Sequence, residues 1–232
     1  MIIKEIKQFN VVDTENITWF LRVDPENLSM TLQDIFVELR TMSWLDKFEF
    51  KALRDSFRIR AEKTCDYLEK QLLDDSVKTD IKERAGEYIV SNLSKSALVK
   101  GLKHQDIPLM ELLGRKRSNN PGFDFYTEKD GYLVAGEAKY VGKVNAYNSS
   151  LKQICDFIVE DKHIQDIGLL LFFTSNDSIE KMNNGTFGVC AGFSSTNIDT
   201  NDLIDNIKEN KYYKECIKEH DVFLVAVDMY GK

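Results

Sequence analysis

The dipeptide Asp130-Gly131 is the sequence feature that most constrains how this chain can fold. It separates two short runs of alternating apolar and polar residues, Gly122 to Thr127 and Tyr132 to Tyr140. Asp-Gly between two alternating runs is the strongest short-range signal for a β-hairpin. The sequence therefore predicts two antiparallel strands joined by a two-residue turn.

The predicted turn also fixes which residues face each other across the hairpin. With Asp130 and Gly131 as the turn residues, the expected pairs are Lys129 with Tyr132, Tyr126 with Ala135 and Asp124 with Glu137. Residues that face each other in this way have Cβ atoms about 5 Å apart. Because side chains alternate along a strand, Lys139 should point the same way as Glu137. We therefore expect two carboxylates and one ammonium to meet on one patch.

Two acids on one patch need a physical reason, because like charges placed opposite each other destabilise a sheet. A divalent cation is the simplest one: Mg²⁺ prefers oxygen ligands and is usually bound by one or two carboxylates, water and substrate phosphate. Mn²⁺ is an alternative ion. The ion would polarise a phosphoryl oxygen and lower the pKa of a bound water, while Lys139 orients that water or stabilises the developing charge. The pattern predicts phosphodiester hydrolysis.

The order of these residues resembles the PD-(D/E)XK nuclease superfamily. Pro121 precedes Asp124 by three residues instead of standing next to it, and Glu137-Ala-Lys139 follows on the next strand. The resemblance implies that Asp124 and Glu137 bind metal and that Lys139 assists hydrolysis. An acid two residues before a lysine is common in this chain; other examples are Glu5-Ile-Lys7, Glu49-Phe-Lys51, Asp80-Ile-Lys82, Glu160-Asp-Lys162 and Glu209-Asn-Lys211. Only Glu137 has the hairpin context, and the alternative is a hairpin with a solvated charged face.

Two residues outside the hairpin are further candidates for the same site. Many nucleases of that superfamily carry an acid on the helix before the catalytic hairpin, which makes Glu87 a candidate third carboxylate and metal ligand. Gly86 beside it would allow another part of the backbone to approach closely. A glutamine on the helix after the lysine recurs in several branches, and Gln153 takes that place here. The alternative for Glu87 is a solvated helix glutamate.

The charge of the chain bears on its binding to nucleic acid. The net charge is −7, which is the wrong sign for binding DNA with the whole surface. The window from Glu111 to Lys152 holds seven basic residues and five acids, so it is +2 and the rest is −9. Just ahead of the hairpin, the basic residues Arg115, Lys116 and Arg117 are predicted to contact phosphates. We expect a local basic site on an acidic body and DNA delivered by a partner.

Apolar runs and helical spacing predict an α/β fold, a mixed sheet flanked by helices. This fold agrees with the restriction-endonuclease-like core that the resemblance implies. Residues 1–78 are expected to form a mainly helical N-terminal layer, and residues 79–232 the nuclease core. The near-continuous apolar run Ile167 to Thr174 predicts a strand covered on both faces. Thr186 to Phe193 and Val222 to Val227 predict two more strands, with one helix from about Asn201 to Glu219 between them.

The absence of targeting signals and the overall layout complete the predictions. No signal-peptide core and no apolar run approaching about 20 residues is present, so we expect a cytoplasmic protein. The helical leader, Arg84-Ala-Gly-Glu87 and the hairpin resemble the small nuclease subunit of Hachiman-type bacterial antiphage defence. That resemblance implies a helicase partner and DNA as substrate. The alternatives are a restriction-type or structure-selective endonuclease of the same fold, or a non-catalytic binding subunit.

Overall fold

One mixed sheet organises the protein. The computed structural model describes residues 1–11, 14–73, 79–114, 122–142, 144–196 and 199–229, with residues 71–73 and 79–85 described by their backbone. Its strands are β1 (Ile2–Asn10), β2 (Ile17–Asp24), β3 (Gln105–Asp106), β4 (Phe125–Lys129), β5 (Tyr132–Lys139), β6 (Gly188–Ser195) and β7 (Val222–Asp228). Across the described residues, these seven strands form one sheet in the order β1-β2-β7-β6-β5-β4-β3.

The middle of the sheet is parallel and its two sides are antiparallel. β2, β7, β6 and β5 run in the same direction, whereas β1 pairs antiparallel with β2, and β4 pairs antiparallel with both β5 and β3. Every residue of β6 is buried, as expected for a central strand that is covered on both faces. The sheet and its helices confirm the predicted α/β fold.

Helices pack around the sheet along most of the chain. They are α1 (Leu28–Thr41), α2 (Lys51–Leu73), α3 (Thr79–Leu102), α4 (Met110–Leu113), α5 (Tyr147–Val159), α6 (Lys162–Leu170), α7 (Asn176–Asn183), α8 (Thr200–Lys208) and α9 (Lys211–Glu219), with a 3₁₀ turn at Ser43–Lys47. Both α3 and α5 pack on β5 and β6. These two helices therefore border the strand that carries Glu137 and Lys139. No helix within the described ranges is long and apolar enough to cross a membrane.

Two predictions about the second half of the chain are wrong. Ile167 to Thr174 is not a strand: α6 runs to Leu170 and turns follow. A continuous apolar run suits a packed helix end as well as a strand, and here Leu170 and Phe173 are buried while Leu171 and Phe172 are exposed. The place beside β5 is taken by β6.

The single helix predicted from Asn201 to Glu219 is two helices, α8 and α9. The side chain of Asn210 accepts hydrogen bonds from the backbone N of Tyr212 and Tyr213, and so it caps the start of α9. A polar cap in the middle of an apolar periodic pattern therefore ends one helix and begins the next.

The N-terminal part shares the sheet with the rest of the chain. Its strand β2 pairs in parallel with β7, from Thr18 with Val222 to Val23 with Val227. The predicted boundary at residue 78 lies in the stretch 74–78, which is outside the described residues. The division into a layer of residues 1–78 and a core of residues 79–232 stays a prediction.

Candidate active site

The hairpin forms with the predicted turn. Asp130 and Gly131 have φ values of 52° and 73°, the positive values that a tight two-residue turn between antiparallel strands requires. The ladder pairs Lys129 with Tyr132 and Tyr126 with Ala135, as predicted. It ends with Phe125 opposite Gly136, so the predicted direct pair of Asp124 with Glu137 lies beyond the ladder. The Asp124 amide instead donates to the Gly136 carbonyl oxygen at 2.9 Å, and the chain bends at Asp124.

Asp124 is half-buried at the open end of the hairpin and is held by three neighbouring elements. Its Oδ2 accepts hydrogen bonds from the Ala138 backbone N at 2.9 Å and from the Ser91 Oγ at 3.3 Å. Its carbonyl oxygen accepts from the backbone N of Met110 at 3.1 Å. Strand β5, helix α3 and helix α4 therefore all fix where this carboxylate points.

Glu137 and Lys139 form the second half of the site. The Lys139 Nζ lies 2.9 Å from the Glu137 Oε1 and 3.2 Å from the Glu87 Oε1. The Glu137 side chain is only 2% exposed, and its Oε2 has no hydrogen-bond partner among the described residues. Most buried polar atoms are hydrogen-bonded, so an unpartnered carboxylate oxygen needs an explanation. The structure thus brings Glu87, Glu137 and Lys139 together at the end of β5.

The surroundings disfavour the ionised forms of the two carboxyl groups in this region. Burial raises the pKa of Glu137 well above its usual value, and the neighbouring Asp124 raises it further. Burial also raises the pKa of Asp124 to about 7, with Glu111 as the next cause. Burial alone would lower the pKa of Lys139, but Glu137, Glu87 and Asp124 raise it overall. One ammonium does not compensate these carboxyl groups, and an additional cation would stabilise their ionised forms.

The donors at this place fit a magnesium ion held by two carboxylates. In the part of the chain that the structure describes, no group of three or more His, Cys, Asp or Glu side chains is arranged to hold a metal ion. Mg²⁺ commonly needs only one or two protein carboxylates. The unpartnered Oε2 of Glu137 and the carboxylate of Asp124, which raises the pKa of Glu137, would be the two ligands of such an ion. Glu87 contacts Lys139, and its assignment as a third metal ligand stays a prediction.

The residues predicted to contact nucleic acid are less well defined by the structure. Arg115, Lys116 and Arg117 lie outside the described residues, as does Pro121. Gln153 lies on α5, half-buried, three residues after Ser150, whose Oγ donates to the Glu137 carbonyl oxygen at 2.8 Å. The roles of Arg115, Lys116, Arg117 and Gln153 in binding nucleic acid stay predictions.

Sequence reasoning missed two residues that touch this region. Ser91 follows Glu87 by four residues on α3, and residues four apart lie on one helix face, so this spacing could have revealed it. The Asp166 Oδ2 accepts from the Phe123 backbone N at 3.3 Å and from the Tyr126 hydroxyl at 2.8 Å. No local pattern links Asp166 to the hairpin, because about forty residues separate them.

Gly86 has a close neighbour at the edge of the site, but this neighbour is a side chain and not the predicted backbone. A Cβ added to Gly86 would lie 2.3 Å from the Tyr140 ring, so only glycine allows α3 to pass this close to the end of β5. Its neighbour Glu87 is thereby brought to Lys139. Glycine at this position therefore helps to bring the helix carboxylate to the strand lysine.

Fold and site together define an α/β protein whose mixed sheet carries two carboxyl groups and a lysine at the open end of a hairpin. No family model, no curated protein and no solved structure matches this chain.

Proposed function

We propose that this protein is a metal-dependent endonuclease that hydrolyses DNA phosphodiester bonds, as the resemblance to PD-(D/E)XK nucleases implies. One observation supports this function more than any other. The Glu137 Oε2 is buried without a partner, while its Oε1 lies 2.9 Å from the Lys139 Nζ. A carboxylate left in this state is costly unless a ligand completes its coordination.

In the proposed mechanism, Asp124 and Glu137 would hold Mg²⁺, or Mn²⁺ in its place. The bound ion supplies positive charge that polarises the scissile phosphate. Asp124 is presented for this task by the hydrogen bonds from Ala138 and Ser91. Ser150 fixes the backbone of Glu137 from the side of α5. The protein thus sets the spacing of the two carboxylates through backbone and hydroxyl donors.

Lys139 acts as a hydrogen-bond donor and not as a proton acceptor. Its pKa is raised by Glu137, Glu87 and Asp124 against the effect of burial, so it keeps its proton at neutral pH. An ammonium has donors only. Lys139 therefore orients the oxygen of the attacking water and stabilises the negative charge that develops on the phosphate. Glu87 holds the ammonium from the other side at 3.2 Å.

We further propose that a partner brings the DNA to this site. The net charge of −7 opposes strong binding of a polyanion by the isolated chain. A helicase subunit of a bacterial antiphage defence system of the Hachiman type would supply this loading. Cleavage would then be largely independent of DNA sequence, and digestion of random DNA would give no discrete fragments. Discrete fragments would instead favour a restriction-type enzyme.

Plasmid nicking tests the proposed function. The wild-type protein is incubated with supercoiled plasmid in Mg²⁺ and in EDTA, beside the double variant Glu137→Ala/Lys139→Ala. The matched control is Glu5→Ala/Lys7→Ala, which removes another strand-borne Glu-x-Lys pair with an ion pair of 2.8 Å. We expect nicking by wild type and control in Mg²⁺ only. Equal activity in all samples, with and without metal, would end the proposal.

A further inference from the structure

We propose that Asp166 on α6 is a positioning residue that holds the leading segment, residues 122–124, in place for the proposed site. This inference rests on the proposed function and adds a residue to it. The Asp166 Oδ2 accepts from the Phe123 backbone N at 3.3 Å and from the Tyr126 hydroxyl at 2.8 Å. These two donors flank Asp124, one residue before it and two residues after it.

The residue at position 122 shows how closely this carboxylate approaches the chain. A Cβ added to Gly122 would lie 2.5 Å from both carboxyl oxygens of Asp166, a distance at which something must shift. Asp166 has a short side chain that is already held by two hydrogen bonds. Asp166 can therefore reach Phe123 and Tyr126 only because residue 122 is glycine.

The same segment determines where Asp124 points. The other hydrogen bonds of Asp124 come from β5, α3 and α4. Their partners are Gly136, Ala138, Ser91 and Met110. Asp166 adds a hydrogen bond from α6, and it acts on the Gly122–Phe123 peptide group, one peptide group before the one that joins Phe123 to Asp124. A misplacement of about 1 Å at a catalytic group can lower a rate by about 100-fold. Loss of the contact to Phe123 should therefore lower the reaction rate by displacing Asp124, an effect that loss of α6 packing alone would not have.

The first arm of the experiment needs no metal and no DNA. The Ala138 amide donates to the Asp124 Oδ2, so its hydrogen exchange reports where the Asp124 carboxylate lies. We expect Asp166→Ala to accelerate exchange at Ala138 by about 10-fold or more, with the Val134 amide in the same strand unchanged. Asp166→Asn keeps an acceptor oxygen of the same shape and should restore most of the protection. Asp205→Ala, an exposed aspartate on α8, is the matched control.

The second arm measures the affinity for Mg²⁺ by calorimetry on the same variants. Residues that orient metal ligands typically change metal affinity by about 10- to 100-fold when they are removed. We expect a loss in this range for Asp166→Ala, and near wild-type affinity for Asp166→Asn and Asp205→Ala. Urea unfolding of each variant shows that the protein is folded under the assay conditions.

Gly122 gives an independent variant if Asp166→Ala does not fold. Gly122→Ala should displace the carboxylate and cause the same changes, and the double variant with Asp166→Ala should be no worse than Gly122→Ala alone. Additive effects, or unchanged Ala138 exchange and Mg²⁺ affinity in Asp166→Ala, would overturn the proposal. If wild type binds no Mg²⁺ while Ala138 exchange responds as expected, the positioning role is supported and the proposed function fails.

Discussion

Two buried glutamates of the same hairpin have opposite surroundings. The Glu128 Oε1 accepts from the Ser175 Oγ at 2.7 Å, from the Ser175 backbone N at 3.4 Å and from the Ser178 Oγ. These donors lie at the start of α7, where the helix dipole also favours a negative charge. Glu137 has an ion pair on one oxygen and no partner on the other among the described residues. Burial alone therefore does not distinguish the two glutamates, whereas the unpartnered Oε2 of Glu137 does.

The two glutamates therefore differ in the roles we expect for them within one hairpin. Near the turn, Glu128 joins the hairpin to α7 through neutral donors, which is a structural task. At the open end, the Glu137 Oε2 has no hydrogen-bond partner among the described residues, and the proposed function assigns this oxygen to the metal ion. The same residue type thus stabilises the fold at one end and costs stability at the other.

The largest expected difference is in cleavage rate. Glu137→Gln removes a charge from the proposed metal site, and loss of one such electrostatic contact typically costs about 100-fold or more in rate. Glu128→Gln keeps an acceptor oxygen for the serines and should leave most of the activity. Single-turnover plasmid cleavage in saturating Mg²⁺ measures both variants. Equal losses in the two variants would break the comparison.

The next largest effect is on stability, at the other glutamate. Glu128→Ala removes the acceptor of the buried Ser178 hydroxyl and one acceptor of the exposed Ser175 hydroxyl. Losing a buried charged acceptor costs roughly 2–4 kcal/mol of unfolding free energy. Urea unfolding at pH 7 measures this loss, and Glu180→Ala, at an exposed position on α7, is the control. A loss of unfolding free energy no larger than that of the control would contradict a stabilising role of Glu128 between the hairpin and α7.

A smaller effect of opposite sign is expected at Glu137. Because burial raises its pKa in the folded protein above the usual 4.5, the folded state keeps a proton that the unfolded chain releases. Stability therefore falls as the pH rises above about 4.5, and the neutral Glu137→Gln lacks this contribution. In EDTA at pH 8 the variant should be more stable than wild type by about 1 kcal/mol or more. Thermal unfolding from pH 5 to pH 8 should show the gap widening; a gap that narrows would contradict the account.

The sequence predicted the parts of the site that local chemistry determines. Asp130-Gly131 specifies a tight turn by backbone preference alone, and the turn then sets the ladder down to Phe125 and Gly136. The bend at Asp124 was not predictable in the same way, because it depends on donors from α3 and α4. The convergence of Glu87 with Lys139 was anticipated only through the family resemblance.

The incorrect strand and the missed Asp166 have a common physical origin in long-range packing. Ile167 to Thr174 has the composition of a buried strand, but the place beside β5 is taken by β6, and the run forms the end of α6 and the turns after it. Asp166 lies on α6, and the first part of this run forms the end of that helix. Because the run was expected to be a strand, the contact of Asp166 with Phe123 could not be predicted either. Ser91 could have been found from its four-residue spacing to Glu87.

Calorimetric titration with Mg²⁺ tests the central claim most directly. Wild type, Glu137→Gln and Glu128→Gln are titrated at the same pH, in the absence of DNA. We predict that wild type and Glu128→Gln bind the ion with similar affinity at one site, and that Glu137→Gln does not bind it. Binding that is unchanged in Glu137→Gln, or absent from wild type, would contradict the claim that Asp124 and Glu137 together hold a cation.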